Sequence, residues 1–101
     1  MFDMMKMMGE LRETRKRVEE TKKRLQEVYL SEESTGGLVK VKLSVAQEIQ
    51  TLSLDKSLLG DKEQLEDYLI ATLNKALERA KAQYEKEIAE AAKEGIPGLP
   101  F

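Results

Sequence analysis

Two triplets of cations, Arg15-Lys16-Arg17 and Lys22-Lys23-Arg24, stand seven residues apart in the first third of a 101-residue sequence. Arg12 and Lys6 extend the series toward the N-terminus. A seven-residue step along a helix advances about 10 Å and returns to nearly the same side, so the second triplet repeats the positions of the first. Such a ladder can reach successive phosphates of a nucleic acid. The same stretch carries Glu10, Glu13, Glu19, Glu20 and Glu27. The competing reading is therefore a solvated helix neutralised by pairs such as Glu19–Lys23 and Glu20–Arg24. Further along, Lys40 and Lys42 project from one side of an alternating stretch, where they protect a strand edge, stay solvated or add phosphate contacts.

Chemistry other than charge is scarce. The sequence has no histidine and no cysteine, which removes the commonest general base, the commonest metal ligand, disulfides and thiolate metal sites. Carboxylate pairs such as Glu66-Asp67 and Glu85/Glu87 have no nucleophile beside them, and Gly36-Gly37 lacks the spacing of a phosphate-binding loop. No catalysis, cofactor, metal or small-molecule substrate is expected. Tyr29, Tyr68 and Tyr84 are too scattered to form a stacking platform for single strands.

The cation ladder needs a helix to hold it, and residues 1–26 supply one. Met4, Leu11, Val18 and Leu25 recur every seven residues, with Met7, Thr14, Thr21 and Val28 between them. This is a narrow seam suited to one partner helix. The period then changes. Residues 27–54 read as three strands: one from Val28 to Ser34, one at Leu38–Leu43 with Val39, Val41 and Leu43 on a single side, and one at Ile49–Leu54. Thr35-Gly36-Gly37 and Ser44–Glu48 are the connections, short enough to force an antiparallel meander. A helical turn is expected over 55–59. Asp61, with Gln64 three residues on, then opens a helix over 61–94 with Leu65, Leu69, Leu73, Ala76, Leu77, Ala80, Tyr84 and Ile88 along one stripe. Residues 1–94 thus form one α+β domain of order α-β-β-β-α, followed by a flexible Gly/Pro tail at 95–101.

Composition bounds the rest. Hydrophobic residues make up 41% and charged residues 36%, which suits a small helix-rich chain that completes its core by pairing with a copy of itself. No apolar run is long enough to span a membrane, and the methionine-rich start is too short and charged for a secretory signal. A cytoplasmic protein is expected. The net charge of −2 is unusual for a nucleic-acid binder. Its distribution is uneven: residues 1–30 hold eight Lys/Arg against six Asp/Glu, and the remaining 71 hold nine against thirteen.

Three stretches give the sequence a resemblance to the YbaB/EbfC family of bacterial nucleoid-associated proteins. They are G-L-V-K-V-K-L at Gly37–Leu43, L-D-K-S-L-L at Leu54–Leu59 and E-Q-L-E-D-Y-L-I-A-T-L-N-K-A at Glu63–Ala76. The chain departs from the family at Lys56, commonly a proline, at Lys75, usually acidic, and at Ser44-Val45-Ala46-Gln47, where an Asn-Gly turn is frequent. The resemblance implies a homodimer with strands at its centre and helices projecting as arms. It further implies double-stranded DNA binding with little sequence preference and a place on the nucleoid.

Taken together, Arg12, Arg15, Lys16, Arg17, Lys22, Lys23 and Arg24 are the expected phosphate contacts. Val28, Leu30, Leu38, Val39, Val41 and Leu43 are the expected dimer interface, which Val41→Asp should break. The rival reading is a structural or adaptor dimer that grips a protein partner through its arms. It rests on the acidic balance, the seam, and the cluster Met1, Met4, Met5, Met7 and Met8, which frays or packs on the seam in the simpler view.

Overall fold

A computed structural model of the chain describes residues 4–95. Helix α1 (Met4–Leu25) leads into strands β1 (Tyr29–Glu33), β2 (Val39–Ser44) and β3 (Ile49–Leu54), and helix α2 (Lys62–Gly95) leads away from them. The α+β order expected from the periodicities is the order observed. The Gly/Pro tail expected from Gly95 onward lies, from Ile96, outside the described residues, and Gly95 itself closes α2.

The strands form an antiparallel sheet in the order β1-β2-β3. Leu30 lies opposite Leu43, and Val41 lies between Glu32 and Leu52. Alternation puts Val39, Val41 and Leu43 on one side, where they are almost wholly buried. Val41 and Leu43 pack there with Ala76 and Ala80 of α2, flanked by Leu30, Leu73 and Leu77. Small alanines let the helix approach the sheet closely, and each buried Val or Leu contributes about 1.5–3 kcal/mol. α2 lies chiefly over β1 and β2. The apolar side chains of β3 have no such cover, and Ile49, Leu52 and Leu54 are exposed.

Local chemistry sets the element ends. Gly36 and Gly37 both adopt positive φ, at 73° and 68°, in the turn between β1 and β2, a region glycine enters without steric cost. Asp61 Oδ1 accepts from the Gln64 backbone N–H at 3.1 Å, and Asp55 Oδ1 accepts from Ser57 N–H at 2.9 Å at the start of the helical turn before it. At the end of α1 the Leu25 carbonyl accepts from Ala46 N–H at 3.3 Å, while Val45 N–H donates to the Val28 carbonyl at 2.7 Å. The β2–β3 turn therefore satisfies carbonyls that the helix end would leave orphaned. Val45 is fully buried there.

The two helices pack side by side beyond the sheet, giving a molecule 72 Å long and only 22 by 16 Å across. The α1 seam is covered from Thr14 to Leu25, where the two helices meet. Two threonines sit in this seam because their hydroxyls donate back to the carbonyls of Glu10 at 3.0 Å and Arg17 at 2.9 Å, so neither brings an unpaired polar group to the contact. Toward the N-terminus α1 loses its cover, and Met4, Met5, Met7, Met8 and Leu11 are exposed.

Candidate nucleic-acid interface

The seven cations expected to act together divide into two groups. At about 100° per residue, Arg12, Lys16 and Lys23 fall within an arc of about 40° on the side of α1 opposite its seam. All three are exposed, as is Arg15 at the margin of the stripe. None of the four pairs with a carboxylate. The other three are engaged or partly enclosed. Lys22 pairs with Glu19 at 3.4 Å. Arg24 donates through Nη2 to Glu87 Oε1 of α2 at 2.7 Å. Arg17 lies beside the seam, half-buried, with its Nε enclosed and lacking a hydrogen-bond partner.

These pairings differ from the Glu19–Lys23 and Glu20–Arg24 ladder that spacing suggested. Glu19 takes Lys22 instead, and Arg24 turns inward because α2 offers a better-shielded acceptor in Glu87. That contact holds the Glu87 carboxyl below the usual carboxylate range, with further help from the Gln83 amide, against a smaller opposing effect of burial. The result is a row of free cations on the outside of the arm and a clasp on its inside. Lys81 and Lys93 of α2 are also exposed and unpaired. Sequence reading passed over them because Glu78, Glu85 and Glu90 interleave with them on the same helix.

The sheet carries its own division. On the α2 side, Arg79 Nη1 donates to Glu32 Oε2 at 2.6 Å and to the Ser31 carbonyl at 3.0 Å, and Lys75 Nζ stands 3.6 Å from Glu32 Oε1. The Arg79 hydrogen bond, aided by the charges of Lys75 and Arg79, lowers the Glu32 pKa despite desolvation. Lys75, which departs from the family pattern, thus has a structural partner. On the other side Lys40 and Lys42 stand out from β2, with the Lys42 ammonium 5.0 Å from the centre of the Tyr29 ring. β2 is the central strand, so these lysines protect no edge.

The apolar residues expected to meet a second copy differ in how far their own protomer covers them. Val39, Val41 and Leu43 are covered by α2 of their own chain, because the Ala76–Ala80 stretch seats directly on β2. Val28, Leu30 and Leu38 are half-buried. Apart from Tyr29 and the Met4–Leu11 end of α1, the large apolar residues left exposed among those described are Leu52 and Leu54, which continue the Val41 and Val39 rows onto β3, together with Ile49, Leu59 and Ile70.

Among the described residues no group of acidic side chains is placed to hold a metal ion, and no helix is long and apolar enough to cross a membrane. Residues 1–96 match the profile of the YbaB/EbfC DNA-binding family. A nucleoid-associated protein of Flavobacterium johnsoniae is 46% identical over 99 residues, covering 98% of this chain and 93% of that one. Another, from Chlorobium limicola, is 31% identical over 86 residues, covering 85% and 78%. A crystal structure of an uncharacterized Helicobacter pylori protein superposes with a TM-score of 0.85 at 24% identity, over 92% of this chain and all of that one, and has the same fold.

Proposed function

Since the chain belongs to the YbaB/EbfC DNA-binding family, a family of nucleoid-associated proteins and not of enzymes, we propose that it binds double-stranded DNA as a homodimer, through phosphates and with little sequence preference. The observation that carries this reading is the outward row Arg12, Lys16 and Lys23 with Arg15 beside it, four exposed cations without carboxylate partners. Cations already satisfied by the protein, such as Arg24, gain less from a phosphate than cations held in water. Phosphate contacts of this kind position a protein without reading bases.

Residues 1–94 act as one binding unit in this reading, and a second copy covers the apolar residues of β3. Burial of Leu52 and Leu54 supplies the driving force. Two arms on one dimer then bind as a unit, so modest contacts add into useful affinity. Residence on the bacterial nucleoid, in the cytoplasm, follows from that activity.

The test is fluorescence anisotropy of a labelled duplex titrated at a series of salt concentrations. With four to six phosphates neutralised, affinity falls as roughly the fourth or fifth power of salt. The triple variant Arg15→Glu, Lys16→Glu, Lys23→Glu loses that binding while remaining folded. Absence of binding by the wild type at low salt defeats the reading. A second reading, an adaptor that grips a protein, draws on the exposed Met4, Met7, Met8 and Leu11 at the arm tip. Binding of that kind through apolar side chains is insensitive to salt.

A further inference from the structure

From the free face of the sheet we infer that the protein has a second phosphate-contacting surface, built from Lys40 and Lys42 and separate from the arms. This rests on the DNA-binding reading above and adds a place where the backbone is held. α2 occupies one side of the sheet. The other side is an open depression of about 490 Å³, bordered by Ser31, Glu33, Lys40, Lys42, Thr51 and Ser53.

The register explains its chemistry. Lys42 is flanked by Ser31 on β1 and Thr51 on β3, and Lys40 by Glu33 and Ser53. Residues two apart on a strand point the same way with Cα atoms about 6.7 Å apart, so both side chains leave the same side of β2, Lys42 reaching over the Tyr29 ring and Lys40 toward Gly37. Three of their four cross-strand neighbours are short hydroxyl side chains. These leave both lysines exposed and offer donors of their own, the combination that receives phosphate oxygens. Neither lysine pairs with a carboxylate, although Glu33 is directly across from Lys40. On the opposite side of the same strand pair, by contrast, Glu32 draws in both Lys75 and Arg79.

Other occupants fit less well. Among the described residues, the side chains that rise from this face on the three strands are lysines, short hydroxyls and Glu33, and Tyr29 at its margin is the one aromatic residue beside them, which does not suffice for stacking on bases. Edge protection is excluded by the central position of β2. A polyanion whose charges recur along a line, the backbone of duplex DNA, matches two cations spread along one strand among hydroxyls. Because this face looks away from α2, its contacts are additional to those of the arm.

The double variant Lys40→Gln, Lys42→Gln keeps side-chain length and strand position while removing both charges. Duplex binding is measured by anisotropy between low and physiological salt, beside the wild type and a control variant Lys56→Gln, Lys62→Gln with the same change in net charge elsewhere. The expected result is a drop of about two in the slope of log affinity against log salt per protomer, with affinity about tenfold weaker at low salt, and no such drop in the control. Circular dichroism of both variants confirms the fold is kept. Wild-type slope and affinity in the double variant would overturn the sheet-face site while leaving the arm reading intact. A wild type that binds no duplex at all overturns both, so the two failures are distinct.

Discussion

Arg24 near the end of α1 and Glu87 in the second half of α2, 63 residues apart in sequence, meet at 2.7 Å and tie the two helices of the arm together. The carboxylate is the better shielded partner, 22% exposed against 55% for the arginine side chain. The pair is therefore worth more than a fully exposed one, though still only about 0.5–1 kcal/mol after solvent screening. Arg24→Gln should lower the unfolding midpoint by a few degrees and reduce DNA affinity less than Lys23→Gln does. Glu87→Gln should also lower stability, yet raise DNA affinity by about threefold, because it frees a cation and removes a repulsive charge. Thermal melts and anisotropy titrations on the same three variants check all of these signs.

Val41 and Leu52 sit side by side on neighbouring strands, but only Val41 is covered. Val41→Asp should thus unfold the protomer, since a carboxylate beneath Ala76 and Ala80 costs about 3–5 kcal/mol, a large share of the roughly 5–15 kcal/mol that holds a small domain together. Its first effect is therefore on the protomer core. Leu52→Ser with Leu54→Ser should leave a folded protomer that no longer self-associates. Sedimentation equilibrium with circular dichroism separates the two outcomes. A double serine variant that remains dimeric would remove β3 from the proposed interface.

The elements were legible in the sequence because each announces its own period. A seven-residue seam marks α1, strict alternation marks β2, and a three-to-four spacing from Leu65 to Ile88 marks α2. The turn at Gly36-Gly37 was legible for a related reason, since two adjacent positive φ angles demand glycine. Pairing was less legible. The partner of Arg24 depends on how far α1 slides along α2, and local spacing carries no record of that. Nor does alternation reveal that α2 lies over β1 and β2 while leaving β3 bare. Leu52 and Val41 look equally apolar in sequence, and only the position of the helix makes one core and the other surface.

Acidification should weaken the fold through two carboxylates. Glu32 and Glu87 both have pKa values lowered by their arginine partners, Arg79 and Arg24 respectively. A carboxyl depressed in the folded state stabilises above its unfolded pKa, about 4.3 for glutamate. That contribution is lost as pH falls through the lower folded value. Melting midpoints measured from pH 7 to 3 should therefore decline below about pH 4.5. Glu32→Gln and Glu87→Gln should each start lower at neutral pH and decline less. An acid limb equally steep in both variants would assign the loss to other groups.

Gln47 occupies the left-handed region at φ 70°, the one non-glycine residue among those described to do so. It stands in the β2–β3 turn, where its N–H donates to the Ser44 carbonyl at 2.9 Å while Val45 is pinned to Val28 and Ala46 to Leu25 at the end of α1. The turn cannot relax without giving up those bonds, so the strain is held in place. An L-residue in this region is penalised by about 1–2 kcal/mol, offset in part by the extra freedom glycine has when unfolded. The Gln47 side chain is exposed and nothing is lost by removing it. Gln47→Gly should accordingly stabilise the protein by about 0.5–1 kcal/mol, a rise of roughly 4 °C in the unfolding midpoint. Ala46→Gly, one residue earlier and outside the positive-φ region, should do the reverse by about the same amount. Opposite shifts in the two melts would locate the strain at Gln47, whereas a drop in both would show that the turn tolerates glutamine without cost.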